Sequence, residues 1–272
     1  MKYRRQVWKY GQSMDVLIYP IKENAPGRGK RRKPSRACQE RLNKIHKADR
    51  LKRMLGINFK QGDIYFTGTY KDGEQPDSYR RACKDAKNFI ARLIRARKRA
   101  GISEPFKWVF VAERGSVSGR WHLHFIFTSG LAWEQISRLW GRGSRKSIDE
   151  LYYDDEGSFK GLAYYFCKVE ERAERKTEPS CPGEKYISGR LHSSRNMIKP
   201  TCTENDFEIT RRKAARIAAD KSGDISDIIG MTKGYLITSA EDFFNEIDGC
   251  YYLKIHLRRQ ENKDKGKRRR QI

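Results

Sequence analysis

The sequence predicts an α+β fold, an antiparallel sheet with helices on one face, of ferredoxin-like type, with basic extensions at both ends. Three observations predict it. Aromatic and β-branched runs alternate with helix-period segments, two of those runs flank a Gly-containing loop, and the terminal stretches are dominated by Lys and Arg. The first strand is Asp63 to Tyr70, bounded by Gly62 and by the Lys71-Asp-Gly73 turn. A long helix follows from an N-cap at Asp77 to Gly101: Ala82, Ala86, Phe89, Ile90, Leu93 and Ile94 recur at helical spacing and cations fill the other face. Phe106 to Glu113 and Trp121 to Phe127 read as the two strands of a hairpin. Next come a helix over Ala132 to Trp140, a short strand near Leu151 and a helix over Phe159 to Arg175. The order β-α-β-β-α-β-α fits a sheet with helices on one face. Farther on, Glu208 to Asp220 reads as a basic helix and Tyr251 to Arg258 as a strand, with Leu253, Ile255 and Leu257 inward and His256 at the surface.

Charge sets the class of partner. The 272 residues hold 59 Lys and Arg against 34 Asp and Glu, a formal net charge of +25, which calls for a polyanion. No apolar run approaches the roughly 18 residues of a spanning helix, and the N-terminus lacks a signal-peptide pattern, so a cytoplasmic protein is expected. The six cysteines show no C-x-x-C pair and are expected to be reduced thiols. Residues 1–58, with Gly27 to Arg36 as their most basic run, are expected to be a basic arm. Residues 59–200 are read as the main domain, and residues 201–272 as a small α/β extension with a basic tail at Lys263 to Arg270.

The chemistry concentrates in the hairpin. Side chains alternate along a strand, so His122 and His124 share one face while Leu123, Phe125 and Phe127 turn to the core. If Glu113 lies opposite His122, then Glu113, His122 and His124 gather on one surface, as a three-ligand divalent site with open positions for water and a phosphate oxygen. Such mixed N/O ligation suits Mn²⁺ or Mg²⁺, with a modest lean to Mn²⁺. A nucleophile stands downstream in Gly161-Leu-Ala-Tyr-Tyr-Phe-Cys-Lys-Val169. Tyr165 sits at the edge of the apolar stripe with Lys168 one turn on, Tyr164 competes with it, and helical geometry prefers Tyr165. An aromatic packing pair is the plain alternative. Arg120, Arg142, Arg145, Lys146, Arg195 and Lys199, with Arg31, Arg32 and Lys33 in the basic arm, are the candidate phosphate contacts. The loop at Gly141 is basic and Gly-rich but lacks P-loop spacing, so it reads as a single-strand contact or a plain surface loop. His46 and His192 have no evident partner.

Phe66-Thr-Gly-Thr-Tyr70, Glu113 with Gly119-Arg-Trp-His-Leu-His124, and Tyr165-Phe-Cys-Lys168 together resemble the three ordered motifs of HUH endonucleases, specifically rolling-circle replication initiators of plasmids, phages and integrative elements. The resemblance spans roughly residues 25 to 200. It departs from the family at Gly68, where a bulkier apolar residue is usual, and in its adjacent tyrosines, so a single-tyrosine enzyme is expected. The resemblance implies metal-dependent nicking and joining of single-stranded origin DNA through a 5′-phosphotyrosine at Tyr165, with Lys168 positioning the phosphate. It also implies a separate helicase and DNA polymerase from the host or the element. A conjugative relaxase or transposase with the same chemistry, and a non-enzymatic nucleic-acid binder, are the rival classes. Origin sequence and oligomeric state are not legible in the chain.

Overall fold

The computed structural model describes residues 2–21, 37–115, 119–143, 146–169, 190–220 and 234–260. In chain order the elements are β1 (Lys2–Tyr10), β2 (Ser13–Ile21), α1 (Ala37–Asn58), β3 (Ile64–Thr69), α2 (Tyr79–Arg99), β4 (Trp108–Arg114), β5 (Trp121–Phe127) and α3 (Trp133–Trp140). They continue with β6 (Lys146–Glu150), α4 (Lys160–Cys167), β7 (His192–Ser193), β8 (Cys202–Asn205), α5 (Arg211–Ala219), β9 (Tyr235–Asn245) and β10 (Cys250–Arg259). The chain divides into two compact units, one of residues 31–154 and 159–199, the other of residues 1–30, 155–158 and 200–272.

The first unit is built on a sheet of order β6-β3-β5-β4-β7 in which each strand is antiparallel to its neighbours. The sheet has two buried faces. On one, Phe66 of β3, Phe110 of β4 and Leu123, Phe125 and Phe127 of β5 meet Ala82, Ala86, Phe89, Ile90 and Leu93 of α2 and Ile136 and Trp140 of α3. The Phe89 ring lies 5.0 to 5.4 Å from the rings of Phe66, Phe125 and Trp140, in the tilted and edge-on arrangements aromatic pairs favour. On the other face, Val109, Val111 and Ile126 meet Ala48, Leu51 and Leu55 of α1 and Ala163 and Phe166 of α4. The antiparallel α+β sheet is as expected, and the helices lie on both of its faces rather than one. The reason is that Val109, Val111 and Ile126 alternate with the aromatic positions, so the second face also has apolar surface to bury.

Local chemistry sets the element ends. Ser78, not Asp77, caps α2: its Oγ accepts from the Arg81 N–H at 3.2 Å, and basic residues crowd the last turn. Helix α4 ends at Cys167, well short of the expected Arg175. Lys168 takes a left-handed conformation (φ 51°), and its N–H and that of Val169 turn back to the Tyr165 and Tyr164 carbonyls. Residues 170–175 of the predicted helix lie outside the described residues.

The second unit corrects the reading of residues 1–58 as an arm. Here β1 and β2 form a hairpin inside an antiparallel sheet of order β8-β1-β2-β10-β9, while α1 belongs to the first unit. The alternate residues Tyr3, Arg5 and Val7 of β1 are buried. Tyr3, Val7, Met14, Val16 and Ile18 join Leu253, Ile255, Leu257 and the α5 residues Ala214 and Ile217 in one core. The cations between them hid this period in a count of charges. The expected C-terminal extension is therefore half of a sheet whose other half is the N-terminal hairpin. The Gly27 to Arg36 and Lys263 to Arg270 runs lie outside the described residues.

His256 is likewise corrected: it is 3 % exposed, not on the surface. It lies opposite Asp15 across β10 and β2, with Nδ1 2.7 Å from Asp15 Oδ1, and the Tyr10 hydroxyl donates to the same oxygen at 2.7 Å. His256 Nε2 faces the Glu156 carbonyl at 3.1 Å. The segment at Glu156 and Gly157 covers this side of β10, so the face predicted to be wet is dry.

Gly68, the departure from the resemblance, has a steric cause. A Cβ there would lie 2.8 Å from Trp140 Cε2 and 3.1 Å from the Phe66 ring. The fully buried Trp140 indole occupies that space and donates from Nε1 to the Thr69 carbonyl at 2.8 Å. Gly68→Val is expected to lower the unfolding free energy by about 1–3 kcal/mol through overpacking. In a Trp140→Leu background the same change is expected to cost at least about 0.5 kcal/mol less, a coupling that urea denaturation of the four proteins of the cycle measures. Equal costs in the two backgrounds would remove the indole as the cause.

Candidate active site

The hairpin fixes the site. Strands β4 and β5 pair with Glu113 opposite His122 and Val111 opposite His124, and β3 places Thr67 opposite His124 and Thr69 opposite His122. Directly paired residues project from the same side of a sheet, so Glu113, His122, His124, Thr67 and Thr69 share the face that α1 and α4 cover. Leu123 and Phe125 point the other way into the aromatic core.

His124 is 6 % exposed. Its Nδ1 lies 3.0 Å from the Tyr65 hydroxyl and 3.2 Å from Thr67 Oγ1, and its Nε2 lies 3.9 Å from Glu113 Oε2. Burial, then the neighbouring His122 and Lys168, push its pKa down to about 4, which keeps the imidazole neutral. The Tyr65 ring is parallel to it with centroids 6.2 Å apart. Tyr65 and Thr67 therefore hold the ring by one nitrogen and leave the other turned toward Glu113, which is how a metal-binding imidazole is commonly oriented. Burial and Arg120 also lower the His122 pKa. Neither Tyr65 nor Thr67 was singled out in the sequence. The signal was there: Tyr65, Thr67 and Thr69 are the alternate positions of β3.

Helix α4 brings the two tyrosines to different places. The Tyr165 ring stands edge-on to His124, with centroids 5.5 Å apart and an interplanar angle of 89°, and the residue is 54 % exposed. Tyr164 turns toward α1, where its hydroxyl is 3.4 Å from Asp49 Oδ1. Adjacent residues on a helix diverge by about 100°, which sends one ring over the histidine face and the other between helices. Lys168 is placed differently from the expectation of one more helical turn. It is the only described non-glycine residue with positive φ, and its carbonyl accepts from Lys44 Nζ at 3.1 Å. Its own Nζ lies 3.7 Å from Glu113 Oε2. The left-handed conformation costs a non-glycine residue about 1–2 kcal/mol, so the position holds a lysine against backbone preference.

The structure thus brings together Glu113, His124, Lys168 and Tyr165, with His122 one pleat away on the same face. The donor set suits a divalent ion: a neutral imidazole with one nitrogen already held, and a carboxylate whose oxygen lies 3.9 Å from the other nitrogen. Among the described residues no three His, Cys, Asp or Glu side chains converge into a ready-made ligand cluster. The carboxylate oxygen that faces His124 also faces the Lys168 ammonium.

The predicted phosphate contacts fare unevenly. Arg142 is bound up in structure. Its guanidinium lies 3.1 Å from the buried Asp85 of α2, its carbonyl accepts from the Lys71 N–H, and a Cβ on Gly143 would run into the Thr69 carbonyl, so the loop packs down and does not stand free. Arg120 pairs with Asp72 and donates to the Tyr70 carbonyl at 2.8 Å, beside the site. Arg195 and Lys199 are exposed. The turn that carries Arg195 has structural work besides: Ser194 Oγ accepts from the Trp108 N–H at 3.2 Å, and Asn196 Nδ2 donates to the Phe106 carbonyl at 3.1 Å. Arg31, Arg32, Lys33 and Arg145, and the side chain of Lys146, lie outside the described residues. His46 is exposed, and His192 packs on Phe110 with its Nε2 3.0 Å from the Tyr79 hydroxyl. Cys83, Cys167, Cys202 and Cys250 are free thiols.

No described helix is long and apolar enough to cross a membrane. No curated protein and no solved structure matches the chain. One family model does, that of the ORF2-type replication-associated proteins, over residues 63–170. That stretch opens at the start of β3, contains the hairpin with Glu113, His122 and His124, and closes just after α4 with Tyr165 and Lys168. Over these residues the chain belongs to the ORF2-type replication-associated protein family.

Proposed function

We propose that the protein is a rolling-circle replication initiator that nicks and rejoins single-stranded origin DNA through Tyr165. The observation that carries this reading is the exposed Tyr165 ring standing edge-on to the buried His124, 5.5 Å away, above a face that also holds Glu113 and Lys168. A nucleophile must be open to its substrate, and Tyr165 is, whereas Tyr164 is directed at Asp49. The family to which residues 63–170 belong makes DNA replication the setting.

In the reaction, Tyr165 Oη attacks the scissile phosphorus. The Oη–P bond forms as the bond from phosphorus to the 3′-oxygen breaks, and the phenolic proton is balanced by the proton the departing 3′-hydroxyl gains. The products are a 5′-phosphotyrosine and a free 3′-hydroxyl that a polymerase extends. Reversal by a 3′-hydroxyl rejoins the strand and needs no nucleotide, because the covalent link keeps the phosphodiester energy. Glu113, His122 and His124 would hold a Mn²⁺ or Mg²⁺ ion, which when bound supplies Lewis-acid polarisation of the phosphate. Lys168 pairs with the carboxylate in its absence and positions a phosphate oxygen when DNA arrives. Tyr65 and Thr67 keep the His124 ring oriented throughout. Unwinding falls to a separate helicase.

Three outcomes are expected. Incubation with single-stranded DNA of its own element and Mn²⁺ gives a denaturant-stable protein–DNA adduct that Tyr165→Phe abolishes and Tyr164→Phe retains. An adduct lost in Tyr164→Phe instead would reassign the nucleophile, and no adduct anywhere on the origin strand would leave a nucleic-acid binder without this chemistry. Lys168→Gly removes the strained backbone along with the ammonium, so its stability stays within about 1 kcal/mol of the parent while adduct formation slows at least tenfold. A purely structural lysine would give the opposite pattern.

The third concerns acid. The folded pKa of His124 is about 4 and its ordinary value 6.5, so between those values the unfolded chain binds a proton that the folded one refuses. The contribution is complete above pH 6.5 and is lost as pH falls toward about 4, with a size of order 2–3 kcal/mol. Urea midpoints should fall more steeply over that window for the parent than for His124→Asn. Parallel slopes would mean that His124 is protonated in the fold.

A further inference from the structure

The proposed chemistry uses one face of the first unit's sheet, and the most highly charged surface of that unit lies on the other. Helix α2 packs against the aromatic face, away from His124 and Tyr165, and carries Arg80, Arg81, Lys84, Lys87, Arg92, Arg95, Lys98 and Arg99 on its outer side. All but Arg92 are exposed. The helix has one carboxylate, Asp85, which is buried and pairs with Arg142. Among the described residues no carboxylate pairs with Arg80, Lys84, Lys87, Arg95, Lys98 or Arg99.

A face that serves only solubility mixes its signs, because Glu and Lys four apart support a helix and like charges at that spacing weaken it by a few tenths of a kcal/mol. On α2 the like charges are neighbours: Arg80 and Lys84, Lys84 and Lys87, Arg95 and Lys98, Arg95 and Arg99 all stand three or four apart. Arg92, Arg95, Lys98 and Arg99 also line an open hollow beside Leu139 of α3. The Arg92 guanidinium, which donates to the Leu139 carbonyl at 2.7 Å, is held below its usual range by burial and by the adjacent cations Arg142 and Arg95. This concentration of unopposed positive charge is complementary to a polyphosphate.

We propose that the outer face of α2 binds the sugar–phosphate backbone of duplex DNA, separately from the strand offered to Tyr165. Two features favour duplex over single strand. Single-strand platforms stack bases on aromatic rings, and the outward positions of α2 carry cations, Asn88, Ala91 and Ile94 but no exposed aromatic. The helix is 21 residues long, roughly 31 Å, which matches the rise of about nine base pairs and so a continuous row of phosphates. Contacts to phosphates alone carry no base readout, so the grip is sequence-independent and depends steeply on salt. It does not require that Tyr165 be the nucleophile.

The test compares two triple variants of equal charge change in the full chain: Lys87→Gln, Arg95→Gln, Lys98→Gln on α2, and Arg212→Gln, Lys213→Gln, Arg216→Gln on α5. The probe is a 30-base-pair duplex of arbitrary sequence, titrated from 50 to 300 mM salt. For the α2 variant the slope of log affinity against log salt should shrink by about 2 to 3, and affinity near 150 mM should fall about tenfold or more. Adduct formation on single-stranded origin DNA should stay within about twofold of the parent. An α5 variant that loses as much slope would reduce the effect to net charge and overturn the proposal, as would an unchanged slope in the α2 variant. Circular dichroism of both variants keeps misfolding from passing as loss of binding. A parent protein that forms no adduct yet shows the α2 effect would sink the nicking reading and leave this one standing.

Discussion

The site depends on the pleat of β5. A strand whose alternate residues are His122, His124 and Ile126 on one side and Leu123, Phe125 and Phe127 on the other can be buried on both faces only if something apolar covers the histidine side as well. Helices α1 and α4 supply that cover, and α4 carries Tyr165. The aromatic layer beneath is what makes the arrangement rigid: Phe66, Phe89, Phe125 and Trp140 interlock, and a one-residue slip of β5 would exchange phenylalanines for imidazoles in the core. Register, core and site are therefore one constraint.

Burying imidazole is expensive unless the ring is neutral and hydrogen-bonded, and both conditions are met at His124. The same rule governs Glu113, a buried carboxylate whose charge is answered by Lys168. That ammonium arrives only because the chain leaves α4 through a left-handed residue. Glycine would make that turn at no steric cost but would carry no ammonium. A strained lysine one residue past a helix end, aimed at a carboxylate on a neighbouring strand, is the kind of local rule-breaking that functional sites keep and structural ones discard.

Much of this was legible in the sequence, for reasons that have physical limits. The hairpin register followed from strand alternation, which placed Glu113 opposite His122, and α2 followed from six apolar residues at helical spacing. The readings that failed share a cause: they treated charge as a sign of exposure. Residues 2–21 are rich in Lys and Arg, yet their alternate positions build a core. His256 shares a strand face with Lys254 and Arg258, yet Asp15, Tyr10 and the Glu156 carbonyl enclose it. Arg142 looked like a phosphate contact and is tied to Asp85, a residue 57 positions away that no local pattern connects to it. The early end of α4 has no signal either, since Lys168 has ordinary helical propensity and only its tertiary partners draw it into the left-handed region. What a periodic pattern specifies was readable, and what a distant partner specifies was not.

A nick made through a covalent tyrosine leaves one DNA end bound and the other free. Rejoining requires that the free 3′-hydroxyl stay within reach, and Tyr165 itself holds nothing on that side of the break. An unbroken duplex held on α2 would meet this need without entering the site, because it tethers the flanking DNA and raises the effective concentration of the free end at the phosphotyrosine. The two tasks ask for opposite chemistry. A tether benefits from many solvated cations whose individual contacts are weak and exchange quickly, whereas phosphoryl transfer needs a few groups fixed in a water-poor cleft. Placing them on opposite faces of one sheet keeps the cations of α2 away from the neutral imidazole of His124, whose pKa is already lowered by burial, by His122 and by the ammonium of Lys168. A row of lysines on the Tyr165 side would compete with any divalent ion for Glu113. The sheet separates the charge that holds DNA from the charge that acts on it.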